Sequence, residues 1–232
     1  MASTFEVITE EFVADMEAIR SLVVTFDNPQ TVAKSRIAAA NSATLLVAAT
    51  FEEFVREMAR EFARVVVTNT KSFDKLPPKL APTAWKRTME GLSKVRLDGS
   101  QTDAGTEHGF GSALVRFTVV HEFCKGDLTK DIYRDLIHNE NNMRPSELNG
   151  LFKVSGLTDV CVKLSDKKPM LETFGESEPG KAHGKLLSEL EDFFERRNAI
   201  AHALKSDQSS GPTQITNDIN LLENFGKPIP GP

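Results

Sequence analysis

Residues 186–204 read LLSELEDFFERRNAIAHAL. Leu187, Leu190, Phe194, Arg197, Ala201 and Leu204 recur in steps of three and four, the spacing that lines one face of an α-helix. The only charged member of that set is Arg197. A guanidinium on an apolar stripe is costly unless it is paired or faces a partner or a cavity. Asn198 and His202 follow at i and i+4, so they neighbour each other on the flank of the stripe. An arginine, an amide and an imidazole gathered where packing alone would place leucine mark a candidate site. Arg196 offers a register one residue earlier, but it lies off the apolar stripe, so periodicity favours Arg197.

The same period runs through most of the chain. Phe5, Ile8, Phe12, Met16, Ile19 and Val23 predict a helix over 4–25. Asp27-Asn28-Pro29 breaks it, with Asn28 as the cap and Pro29 in the first turn of the next helix. That second helix, over 31–68, keeps Ile37, Ala40, Thr44, Ala48, Phe51, Val55, Met58, Phe62 and Val65 in period without Gly or Pro. At 1.5 Å per residue it reaches on the order of 55 Å. Pro77-Pro78 ends the region, and Pro82 opens a helix to about Lys94. Asp98–Ser112, DGSQTDAGTEHGFGS, reads as a polar, glycine-rich loop and a candidate RNA-facing lid.

Helices are expected again over 113–123 and 129–139, then a short Pro-initiated one closing at Gly156. Residues 172–184 read as loop before the motif helix. After Leu204, SDQSSGPTQ reads as a flexible link to a short amphipathic piece at 215–225, and the tail KPIPGP as frayed. No β alternation and no internal repeat are visible. The expectation is an all-α fold, a helical bundle with two long antiparallel helices and irregular insertions. It forms one domain over 1–205 and a flexible extension over 206–232.

Composition narrows the function. A net charge of −5 leaves any nucleic-acid contact to a local patch. The candidate patch is 75–96, with Lys75, Lys79, Lys86, Arg87, Lys94 and Arg96 against Glu90 alone and with Trp85 among them. Trp85, Lys86 and Arg87 there could stack a base and grip phosphate. Two cysteines, Cys124 and Cys161, build no disulfide framework and suit a reducing compartment. His121 and Cys124 begin a metal-ligand spacing that no second pair completes. No leader and no membrane-length apolar run are visible. A cytoplasmic protein without a membrane contact, a metal or a cofactor is expected.

The order Arg197-Asn198-Ala199-Ile200-Ala201-His202 resembles the signature of HEPN domains, in the form where an amide follows the arginine. Residues 35–62, SRIAAANSATLLVAATFEEFVREMAREF, resemble the long second helix of bacterial HEPN proteins. Among the branches, the chain is most similar to the RiboL-PSP-HEPN and MAE-like groups. A second Arg-x4-His, Arg116 to His121, lacks the polar second residue.

The resemblance implies a metal-independent endoribonuclease working as a homodimer whose motif helices form one composite cleft. Metal-free RNA cleavage uses the adjacent 2′-hydroxyl as nucleophile, so a base near neutrality must take its proton, which suits His202. A fixed guanidinium such as Arg197 can hold the non-bridging oxygens of the transition state. Asn198 can orient the imidazole or donate to the phosphate. Helical arithmetic puts Glu52 at the edge of the buried face, where it could support Arg197 or His202, and puts Glu53 in solvent.

The resemblance further implies an effector or toxin of bacterial defence, with RNA as substrate and an antitoxin or defence-system protein as partner. The alternative, motivated by the acidic balance, is a non-catalytic HEPN dimer that binds RNA, a nucleotide or a protein.

Overall fold

A computed structural model of the protein describes residues 3–95, 104–138, 142–202 and 210–227, with side chains from 110 onward in the second range. It is all-α: among the described residues there are ten helices and no strand. Leu204, Arg96, Asn139 and the parts of the expected link, loop and tail at 206–209, 98–103 and 228–232 fall outside them.

The chain forms two compact units. The first holds residues 1–58, 141–150 and 158–231. In it, helix α1 (Thr4–Phe26) starts with a capping box: the Ser3 hydroxyl accepts from the Glu6 amide at 3.2 Å, and the Glu6 carboxylate accepts from the Ser3 amide at 2.6 Å. Its stripe of Phe12, Met16, Ile19 and Val23 is buried.

Helix α2 (Ala33–Asn69) begins two residues later than the sequence predicts. Asn28 does not cap it; its side chain accepts from the Gln30 amide at 2.9 Å in a separate turn. The first part of α2 supplies Val47, Phe51 and Val55 to the core, all fully buried. Phe51 sits among Phe12, Phe194 and Phe225, with ring centroids 5.5–6.4 Å apart. Burial of this kind contributes about 25 cal/mol per Å² of apolar surface.

The same unit contains α7 (Val160–Ser165), α8 (Lys168–Phe174), α9 (Pro179–His202) and α10 (Pro212–Gly226). Two of these correct the expectation of a loop over 172–184: α8 runs to Phe174, and α9 starts at Pro179 despite Gly180 and Gly184. Each interior glycine costs a helix about 1 kcal/mol. Burial of Ala182 and Leu186, both 0% exposed, opposes that cost. Helix α7 gains its N-terminal partner from elsewhere, because the Asn149 side chain accepts from the Cys161 amide at 3.2 Å. Helix α10 packs on α1 and α8, burying Ile215, Ile219, Leu222 and Phe225. Arg20 on α1 binds both oxygens of Glu223 on α10 at 3.2 Å.

The second unit holds 59–140 and 151–157. Helix α3 (Leu80–Ser93) packs on α4 (Ala104–Cys124) and on the single turn α5 (Tyr133–Leu136). The glycine-rich stretch read as loop is therefore helical from Ala104 onward. The helix expected over 129–139 shrinks to that one turn, preceded by a turn in which Asp127 accepts from the Thr129 amide and hydroxyl. Helix α6 (Pro145–Val154) starts at Pro145 as expected, and the chain turns at Gly156 with φ +96°. Among the described residues, no helix is long and apolar enough to cross a membrane.

Candidate functional site

Helix α9 buries Ala182, Leu186, Leu190, Phe193 and Phe194. The buried stripe is therefore centred on Leu186 rather than Leu187, which is half-buried, and Arg197 is its next member, three positions after Phe194. The following turn leaves the core: Ala201 and His202 are exposed. Arg197 thus stands at the border between packed helix and solvent, with its side chain 28% exposed.

The two consecutive arginines do different work. The Arg196 Nη2 donates to Asp218 Oδ1 on α10 at 2.7 Å, and Gln214 donates to the same oxygen at 2.9 Å. Asp218 is only 3% exposed, and burial pushes its carboxyl above the usual carboxylate range, partly offset by Gln214 and Arg196. Arg196 therefore answers a structural demand. Arg197 answers none as strong. Its Nη2 lies 4.0 Å from Glu52 Oε1, an ion pair without a hydrogen bond; the Nε atoms of both arginines are buried with no hydrogen-bond partner, as is that Glu52 oxygen.

Glu52 comes from the middle of α2, where it is buried at 9% exposure, while Glu53 is exposed and bonded to Arg56 at 2.9 Å. Burial raises the Glu52 carboxyl, and the positive charges of Arg197 and then Arg56 pull it back.

Asn198 is the centre of the polar cluster. Its Oδ1 accepts from Arg197 Nη1 at 3.2 Å and from Asn142 Nδ2 at 2.8 Å. Asn142 lies just before α6, and two residues on Arg144 pairs with Glu191 of α9 at 2.6 Å. Glu191 and Asn198 are seven residues apart on one helix face, so the 142–144 stretch is fastened to α9 at two points. Nothing in the sequence pattern singles out Asn142; the pairing joins positions 56 apart. Among the described residues, no hydrogen bond or ion pair joins His202 to this cluster. At about 100° per residue, His202 lies about 140° around the helix from Arg197, with Asn198 between them.

The remaining candidates belong to the second unit. Arg87 donates to the Leu136 carbonyl, which makes it a brace between α3 and α5. Lys86 is exposed, 3.7 Å from Glu90, and Trp85 is 38% exposed with its ring 6.0 Å from that of Phe117. The second Arg-x4-His is not assembled as a pair: Arg116 binds Asp135, and His121 stacks on Phe117 with centroids 5.7 Å apart. Among the described residues, no group of three or more His, Cys, Asp or Glu side chains could hold a metal ion.

The family model of RiboL-PSP-HEPN matches residues 10–229, which is nearly the whole sequence. The chain belongs to the RiboL-PSP-HEPN family. Comparison with curated proteins and with solved structures gave no match. RiboL-PSP-HEPN membership accounts for the all-α architecture. It also agrees with the branch that the RNAIAH motif and the 35–62 helix suggest.

Proposed function

We propose that this HEPN protein is a metal-independent endoribonuclease. One observation supports this reading above the others: α9 carries two consecutive arginines, and the structural need for a cation is met by Arg196. Arg197, as exposed as Arg196, has no hydrogen-bonded carboxylate: it is held by Asn198 and stands 4.0 Å from buried Glu52, five residues before an exposed histidine.

In the proposed reaction His202 removes the proton of a ribose 2′-hydroxyl, and the resulting oxygen attacks the adjacent phosphorus. The Arg197 guanidinium holds the non-bridging oxygens as negative charge accumulates. The P–O5′ bond breaks as the P–O2′ bond forms, and the leaving 5′-oxygen takes up a proton from water, giving a 2′,3′-cyclic phosphate and a 5′-hydroxyl end. The wide angle between Arg197 and His202 on one helix favours a cleft completed by the motif helix of a second copy, in an isologous dimer. Glu52 steadies Arg197, and the exposed Trp85 and Lys86 are the proposed additional RNA contacts, with Arg87 left to its brace. The biological role is that of an effector or toxin in bacterial defence, restrained by an antitoxin or another protein of that system.

Purified protein should cut single-stranded or structured RNA in excess EDTA, and H202A should abolish the cut while leaving the fold intact. A wild type that binds RNA yet leaves a broad RNA panel uncut would replace the nuclease with a non-catalytic RNA-binding dimer.

A further inference from the structure

The hydrogen bonds around Asn198 fix which way its amide faces, and that direction has a consequence for the site. A guanidinium can only donate, so the Asn198 atom 3.2 Å from Arg197 Nη1 must be the carbonyl oxygen. The group that Asn142 brings to the same oxygen at 2.8 Å must then be its own N–H2. An amide oxygen has two lone-pair positions, and both are taken by these two donors. The N–H2 of Asn198 consequently lies on the far side of its amide group. Among the described residues, no acceptor takes it, and it is not among the buried polar atoms that lack a partner.

We infer that Asn142 is a positioning residue that holds Asn198 with its N–H2 turned outward as a donor for a substrate phosphate oxygen. This rests on the proposed nuclease reading and assigns the site one more part. Without Asn142, the Asn198 amide keeps only the Arg197 contact and can swing. With an aspartate in its place, acceptors face the Asn198 oxygen, and the amide is driven to turn its N–H2 inward, against Arg197. That arrangement removes the outward donor and sets donor against donor at the guanidinium. Asn142 itself is tied down, since its carbonyl accepts from the Arg144 amide at 2.8 Å and Arg144 is anchored to Glu191.

The test compares N142A and N142D with wild type by RNA cleavage and by the side-chain amide resonances of Asn198. The resonances are followed during titration with an uncleavable 2′-deoxy oligonucleotide. N142A should lower kcat about 10-fold, the worth of one neutral hydrogen bond at about 1.4 kcal/mol. N142D should lower it about 100-fold, as expected for a displaced catalytic group. In both, KM should stay within about twofold, because the contact strengthens with transition-state charge. The wild-type Asn198 amide signals should move on titration, and those of N142D should not.

Wild-type kcat in both variants, with thermal unfolding unchanged, would overturn the positioning role. If wild type cuts no RNA, the nuclease reading fails by that result alone, and the amide signals decide the positioning separately. Identical Asn198 signals in wild type and N142D would refute it.

Discussion

Arg196→Ala and Arg197→Ala remove the same group from neighbouring positions, yet the structure requires opposite outcomes. Deleting Arg196 strands Asp218, which is 3% exposed and keeps only the Gln214 bond at 2.9 Å. Removing one partner of a buried pair costs about 3 kcal/mol, because the remaining charge is neither hydrated nor matched. For a chain of 232 residues, each kcal/mol shifts the midpoint by about 2–4 °C, so R196A should lose about 6–12 °C. Arg197 is as exposed as Arg196 but makes only a 4.0 Å contact with Glu52, without a hydrogen bond, so its deletion should cost about 1 kcal/mol or less. R197A should therefore melt within about 4 °C of wild type and cut no RNA. Far-UV circular dichroism at neutral pH gives both midpoints. An R197A midpoint as low as that of R196A would show that Arg197 is a packing element and would refute the division of labour between the two.

Three further outcomes follow from the packing and titration of the first unit. A Cβ at Gly226 would lie 3.0 Å from the Phe54 ring and 3.1 Å from that of Phe12, so G226A should destabilise by about 1–3 kcal/mol in urea titration. Burial pushes the Cys161 thiol up to about 12 and leaves it fully covered, so iodoacetamide should label half-buried Cys124 first. Cys161 should react only on unfolding, as mass spectrometry would show; rapid labelling of Cys161 in the native protein would contradict its burial. Because the Glu52 carboxyl is raised on folding, its contribution is present at pH values below the unfolded carboxylate value and is lost as pH rises through the folded one. Wild type should therefore lose stability relative to E52Q as pH rises above the ordinary carboxylate range, and a trend in the other direction would contradict the dominance of desolvation at this carboxylate.

Periodicity makes the packed helices legible in the sequence. Phe12, Met16, Ile19 and Val23 on α1 and Phe51 and Val55 on α2 are buried as their spacing demands. It failed where composition and packing disagreed. Gly180 and Gly184 argue for loop, but Ala182 and Leu186 fit the core well enough to hold those residues in α9. Residues 104–112 failed in the same way, as glycine and polar side chains hid the start of α4.

At the candidate site, the odd arginine on an apolar stripe and the edge position of Glu52 could both be read from helical arithmetic. The role of Arg196 and the contact from Asn142 could not, since their partners, Asp218 and Asn198, lie far along the chain. Such pairings leave no trace in local pattern. Arg87 shows the converse: the sequence marks a basic residue beside a tryptophan, and only the fold shows that its guanidinium also donates to the Leu136 carbonyl.

The proposed shared cleft is tested most directly by mixing R197A and H202A proteins, each expected to be inactive, after subunit exchange. If guanidinium and imidazole come from different copies, half the dimers carry one intact site of two, and cleavage in EDTA should return to about one quarter of the wild-type rate. A mixture as inactive as either variant alone, with heterodimers demonstrated by mass spectrometry, would contradict an active site built from Arg197 of one copy and His202 of the other.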